Sequence, residues 1–257
     1  MELRVLGTGR PYNSERHKGN TCFILDCGRR LLIDTPSEWS TYDSAGIAPA
    51  TIDGVVLTHL HWDHAGGLDA FLMYKKFNPS EKGKPTLYTT KEIYDGLLDI
   101  TKHTICRTVD SQFKPRHIGL HEYVDFKELK SGHPFEEGGL KIEARSNLHS
   151  VPAIGLKISD GNRTFAYSGD TNYDPELIAR LHKQGWLDDQ QRDELLGFLW
   201  DADFVVHEAD NSGEFHTDVK RLEELKDEIK EKVWLAHYGD DLKTDMKVLK
   251  DYEKYEV

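Results

Sequence analysis

The stretch LTHLHWDHAGGL, residues 57–68, gathers His59, His61, Asp63 and His64 within six positions, directly after an apolar run. Neither packing nor solubility asks for three imidazoles and a carboxylate at that density; the holding of cations does. In an extended segment side chains two apart share a face, so His59 and His61 are expected to grip one ion. The turn that follows should swing Asp63 and His64 toward a second. Neutral imidazoles beside a hard oxygen ligand suit zinc, with manganese or iron also accommodated.

One loop does not fill two coordination spheres. Three later residues stand where a strand is expected to give way to a loop: His149 in SNLHSVP, Asp170 in YSGDTNY and His237 in WLAHYGDD. With Asp170 between the ions, His149 joins His59 and His61, and His237 joins Asp63 and His64. A water held between two such ions would be hydroxide near neutral pH, which supplies a nucleophile. For His103, His117, His121, His133 and His182 an ordinary packing or surface role is expected.

These residues need elements to hold them. Short strands are expected at 3–7, 21–28, 30–36 and 54–61, with DCGRR as a hairpin turn between the second and third. A helix should begin right after the histidine cluster, in GGLDAFLMYKKF, and PTLYTTKEIYDGLLDI reads as a strand followed by a helix. Residues 100–122 carry no assignable pattern. Strands return from HEYVDFKEL onward, with SDGNR marking a hairpin turn. Two helical stretches near Gly185, a strand in DFVVHEAD, a charged helix in TDVKRLEELKDEIKEK and a strand in VWLAHYGDD complete the order. Strand-rich halves finished by helices predict two sheets packed face to face with helices outside, in a single domain over 1–257.

Composition narrows the partners. Lys and Arg total 33 against 45 Asp and Glu, a formal charge of −12, so a long nucleic acid or an anionic membrane should be repelled. No apolar run approaches the roughly 20 residues of a membrane span, and the N-terminus lacks a signal-peptide pattern. Cys22, Cys27 and Cys106 have no CxxC spacing and read as isolated thiols. The expectation is a soluble, cytoplasmic protein.

Taken together, the HxHxDH motif, a later lone histidine, the aspartate in SGDT and a terminal histidine resemble the metallo-β-lactamase superfamily, over nearly the whole chain. The resemblance implies an αββα four-layer sandwich with two divalent ions, zinc first and manganese second, at one edge of the sheets. It also implies that Asp34 in LLIDTP orients a ligand histidine. Within the superfamily the chain is similar to the tRNase Z branch and its phosphodiesterase relatives. It opens with LGTGRPYNSERHKGN, sets His149 in HSVPAIG, and carries VVHEAD where that branch has a HEAT motif. Glu208 and His216 then match an acidic residue and the histidine it orients, which implies that this pair, with Asp63, serves catalysis. A carboxylate-held histidine can protonate a departing oxygen.

Departures from the pattern bear on the substrate. Only 21 positions separate His149 from Asp170, where bacterial tRNase Z inserts a tRNA-clamping arm, and AHYGDD lacks the basic residue that usually follows the final histidine. A small phosphodiester, above all a 3′,5′-cyclic nucleotide, fits this better than tRNA. The competing readings are a tRNA 3′-processing endonuclease, a lactonase or thioesterase, and a non-catalytic scaffold. Arg16, His17 and Lys18 are either phosphate-holding cations or part of a solvated loop, residues 183–200 are a candidate cover, dimer contact or ordinary outer-layer helix, and the branch implies a homodimer.

Overall fold

Asp26 and Arg30 close the hairpin between the strands Cys22–Asp26 and Arg30–Ile33, where Gly28 takes φ 81°. Without a Cβ, glycine adopts that left-handed turn at little cost. The computed structural model describes residues 1–12, 19–78, 83–211 and 213–257. Among these, the strands form two large sheets and a two-stranded ribbon.

The first sheet runs Lys254–Glu256, Glu2–Gly7, Cys22–Asp26, Arg30–Ile33, Gly54–Val56, Thr86–Thr89 and Asp125–Glu128. Its neighbours are antiparallel up to Arg30–Ile33 and parallel beyond. The second runs Val233–Ala236, Phe204–Glu208, Thr164–Tyr167, Ile154–Ser159, Leu140–Ser146 and Phe135–Glu137. There the first three are parallel and the remainder antiparallel.

Leu3, Val5, Phe23 and Leu31 belong to one apolar core with Ile142, Leu156, Ile158 and Phe165 of the second sheet, and Phe23 sets its ring edge-on against Tyr167 at 5.2 Å. Helices Leu68–Phe77 and Lys91–Thr101 add Leu68, Phe71, Ile93 and Leu97 to that core. A second core lies between the other sheet and the helices Pro175–Lys183, Asp189–Gly197 and Val219–Glu223, which contribute Ile178, Leu195 and Leu222. The layering is the αββα sandwich. Burying each such side chain contributes about 1.5–3 kcal/mol, so the packed strands fix where the loops at their ends begin.

Local chemistry sets the helix starts. Thr90 caps Lys91–Thr101 by accepting from the Ile93 N–H, and Asp174 and Asp188 cap the next two long helices. Helix Asp189–Gly197, within the 183–200 segment, forms part of the outer layer with Leu195 buried in the second core.

Three expectations change. The strand expected over 54–61 ends at Val56, because Thr58 turns its N–H to the Asp34 carboxylate rather than to a neighbouring strand. The stretch TDVKRLEELKDEIKEK forms two short helices, Val219–Glu223 and Asp227–Lys230, parted at an extended Lys226. Residues 100–122 hold the ribbon Arg107–Val109 with Pro115–His117 and a 3₁₀ turn at Leu120–Glu122. Among the described residues no helix is long and apolar enough to cross a membrane.

Candidate metal centre

The candidate residues follow strand ends. Asp34 comes directly after Arg30–Ile33 and His237 directly after Val233–Ala236, Glu208 closes Phe204–Glu208, and His59, His149 and Asp170 each lie three positions past a strand. Sites in open α/β sheets form at such carboxyl ends, where loops leave the packed layers. The Ile154 N–H donates to the Thr58 carbonyl at 3.0 Å, which ties the two sheets together beside His59.

Ligand atoms of His59, His61, His149 and Asp170 all lie within 4.8 Å of one another, as do those of Asp63, His64 and His237. Asp170 touches both sets. Its Oδ2 stands 3.5 Å from His59 Nε2, 3.8 Å from His149 Nε2 and 3.5 Å from His237 Nε2, and its Oδ1 3.3 Å from His64 Nε2. Asp63 Oδ2 is 3.3 Å from His64 Nε2 and 3.2 Å from His237 Nε2. The structure thus brings all seven expected ligands to one place. Asp63 and His64 sit on the helical turn Trp62–Ala65, entered from an extended His61, so helix geometry rather than a loose turn redirects them.

The donor set fits divalent metal. His59 Nε2, His64 Nε2 and Asp170 Oδ1 are buried with no hydrogen-bond partner, although buried polar atoms are nearly always paired. Burial drives the His59 imidazole well below its ordinary pKa, lowers His61 and takes His149 down to about 4, so these three rings stand neutral with lone pairs to offer. The other set is richer in charge. Burial disfavours ionised Asp63, but the His237 and His64 imidazoles beside it outweigh burial and hold the carboxyl far below the usual range. Although burial opposes it, Asp170 and Asp34 draw His64 upward; carboxylates placed this way favour positive charge at the site.

Asp34 holds the first loop from behind. Its carboxylate is fully buried, accepts from the Thr58 N–H at 2.8 Å and from the Thr58 hydroxyl, and takes the His64 Nδ1–H at 2.8 Å. With its hydroxyl hydrogen given to Asp34, Thr58 can accept from His59 Nδ1 at 3.0 Å. One carboxylate therefore selects the tautomer of two histidines and leaves both Nε2 atoms facing inward. Five described non-glycine residues have positive φ, and two of them are Asp34 (55°) and His237 (52°). Backbone strain of this kind concentrates at functional sites.

Beside the cluster, fully buried Glu208 accepts the Thr171 N–H at 2.8 Å on Oε1 and contacts His216 Nδ1 at 3.1 Å through Oε2. His216 Nδ1 lies 3.9 Å from Asp170 Oδ2, and its side chain keeps 24% exposure. Although burial opposes it, the Glu208 carboxylate pushes His216 up to about 9. Burial pushes Glu208 up in turn, and the His216 charge draws it back. The neighbouring His207 is different: buried and stacked on Trp200, it gives Nδ1 to the Glu208 carbonyl and serves packing.

Sequence reading passed over Thr58, whose only signal is its place before His59. It also passed over Arg10, which joins the loops behind Glu208 and His237 through Asp210 at 2.8 Å and Asp241 at 3.1 Å. His103, His117, His121 and His133 are exposed and outside the clusters. Arg16, His17 and Lys18 lie outside the described residues.

The model of one protein family, described as Anti-Pycsar protein Apyc1, matches residues 1–254. The Anti-Pycsar protein Apyc1 of Paenibacillus sp. (strain J14) is 28% identical, covering 99% of this chain and 98% of its own. A cAMP/cGMP-dependent 3′,5′-cAMP/cGMP phosphodiesterase B of Dictyostelium discoideum is also 28% identical over 100% of this chain, which spans 22% of that relative's length. Among solved structures, the metallo-β-lactamase fold protein YhfI of Bacillus subtilis superposes with a TM-score of 0.70 at 14% identity, covering 99% of this chain and 98% of that one. The chain has the metallo-β-lactamase fold.

Proposed function

The chain belongs to the Anti-Pycsar protein Apyc1 family, and from that premise we propose that it is a metal-dependent phosphodiesterase acting on a small phosphodiester, above all a 3′,5′-cyclic nucleotide. One observation carries the reading: a buried carboxylate holds His216 beside a cluster of seven metal-ligand side chains. Hydrolysis of a carboxylic ester with a good leaving group has little use for such an acid, whereas a ribose oxygen leaving phosphorus needs a proton. The Dictyostelium relative, a 3′,5′-cAMP/cGMP phosphodiesterase by name, supports the same substrate class.

In this reading His59, His61 and His149 hold one divalent ion, Asp63, His64 and His237 the other, and Asp170 both, with zinc the first candidate and manganese the second. When bound, such ions polarise a phosphoryl oxygen and supply the nucleophile at neutral pH. Asp63, ionised beside His237, would orient a nucleophile supplied by the ions. Asp34 keeps His64 and His59 facing inward, and His216, charged by Glu208, delivers its proton to the departing oxygen. Tethering both reacting partners between two packed sheets removes much of the entropic barrier.

The substrate is small. Residues 154–167 form the plain hairpin of Ile154–Ser159 with Thr164–Tyr167, with no clamp between His149 and Asp170, and a formal charge of −12 disfavours a long polyanion. The free buried cysteines agree with a cytoplasmic setting. We also read residues 1–257 as one domain and the working form as a homodimer, which light scattering tests. The activity test incubates zinc- or manganese-loaded protein with 3′,5′- and 2′,3′-cyclic nucleotides, a lactone, a thioester and a precursor tRNA, beside an Asp63→Ala control. Conversion of a 3′,5′-cyclic nucleotide to the linear monophosphate, absent in the control, is expected. Cleavage of the precursor tRNA alone would make RNA processing the function instead.

A further inference from the structure

Asn147 stands two positions before His149, just past the strand Leu140–Ser146. Its side-chain amide uses both hydrogens, one on the Ser168 carbonyl and one on the Asp170 carbonyl, each at 2.8 Å. Its backbone N–H donates to Ala153 at 2.9 Å. The same two loops meet again where Asn172 N–H donates to the Leu148 carbonyl at 2.8 Å. Between the two carbonyls that Asn147 holds, Gly169 takes φ 56°, and a Cβ there would stand 2.4 Å from the Ile154 oxygen and 3.2 Å from Asn147 Nδ2. Only glycine lets the loop come this close.

The far side of the amide is buried as well. Asn147 Oδ1 is buried without a hydrogen-bond partner, and so are Nε and Nη1 of Arg145, a guanidinium only 1% exposed. A Cβ on Gly155 would lie 3.2 Å from both Arg145 Nε and Asn147 Oδ1, so the bare glycine is what admits them. The two carbonyls that Nδ2 donates to decide which way the amide faces.

We propose that Asn147 is a positioning residue of the metal centre: its amide pins the main chain on both sides of Gly169 and so sets where the Asp170 carboxylate stands against His149. The inference rests on the metal-centre reading above. Asn147 needs no contact with ion or substrate for this. An aspartate of the same shape would lose both donors and place an oxygen against two carbonyl oxygens.

The test titrates metal-free protein with Co²⁺, following visible absorption and competition with a chelator, together with thermal unfolding of the metal-free form. Asn147→Asp and Asn147→Ala should weaken cobalt binding by about 10–100-fold and alter the visible bands, while Ser150→Ala on the same loop keeps both at wild-type values. The alanine variant, which adds no charge, decides the matter where the aspartate variant does not unfold cooperatively. A lowered melting temperature with wild-type cobalt affinity and spectrum in both variants would reduce Asn147 to a structural residue and overturn the proposal. Failure of the wild type itself to bind cobalt would instead overturn the metal-centre reading.

Discussion

The two sheets contribute to the candidate centre in opposite ways. The first delivers His59, His61, Asp63 and His64 from a single loop and helical turn, backed by one buried carboxylate, Asp34. The second delivers His149, Asp170, Glu208 and His237 from four separate strand ends, and His216 from a loop that Glu208 holds. The first group is organised by its own sequence neighbours. The second exists only when strands Leu140–Ser146, Thr164–Tyr167, Phe204–Glu208 and Val233–Ala236 are packed in register, so its geometry depends on the whole sheet.

The largest expected effect comes from the residue that both groups share. Asp170→Ala removes a carboxylate lying within 4 Å of four histidines of the two sets. If that carboxylate stabilises the transition state by about 4 kcal/mol through the ions it holds, kcat/KM falls roughly 10³-fold, and metal analysis of the purified variant should show lost occupancy. Retention of full activity and metal would break the picture of one shared centre.

Next is the acid. His216→Gln should lower kcat for a cyclic nucleotide by about 10²-fold, the low end of the usual range for a positioned acid, yet leave hydrolysis of a p-nitrophenyl phosphodiester, whose leaving group needs no proton, within a few-fold of wild type. Equal losses on both substrates would assign His216 to metal binding, which its place within the group of Asp170, His216 and His237 makes the natural competitor.

The support of the first loop should matter less than either. Asp34→Asn keeps the shape but weakens the hold on His64 and Thr58, and metal affinity measured against a chelator should drop about 10–100-fold. A comparable drop in melting temperature without any change in affinity would make Asp34 a fold residue.

Legibility in the sequence follows the same divide. The first group was readable because three histidines and an aspartate in six positions have no other use. Single residues of the second group, such as His149 or His237, resemble many packing histidines and became candidates only through their strand-end positions and the family pattern. The fold's layers were legible because strand-rich runs and the hairpin turns between them, DCGRR and SDGNR, are local signals. What escaped was set by tertiary contact: the end of the strand at Val56, where Asp34 captures Thr58; the break at Lys226, which no glycine or proline marks; and the amide of Asn147, whose partners lie 21 and 23 positions away.

The smallest effect concerns the core that joins the two groups. Burial pushes the Cys27 thiol up to about 11, and a raised thiol pKa means that thiolate appears only as pH climbs toward that value. At pH 8 iodoacetamide should therefore label Cys27 only after denaturant unfolds the first sheet, as mass spectrometry of the labelled protein would read. Rapid labelling of the folded protein would show that this sheet opens more readily than its packing implies.

The most direct measurement of the central claim is a crystal structure of the zinc-loaded protein with anomalous difference maps. Two peaks are expected, one among His59, His61 and His149 and one among Asp63, His64 and His237, with Asp170 contacting both. A single peak held by the first loop alone, or zinc bound away from these residues, would contradict the account that the two sheet edges build one centre.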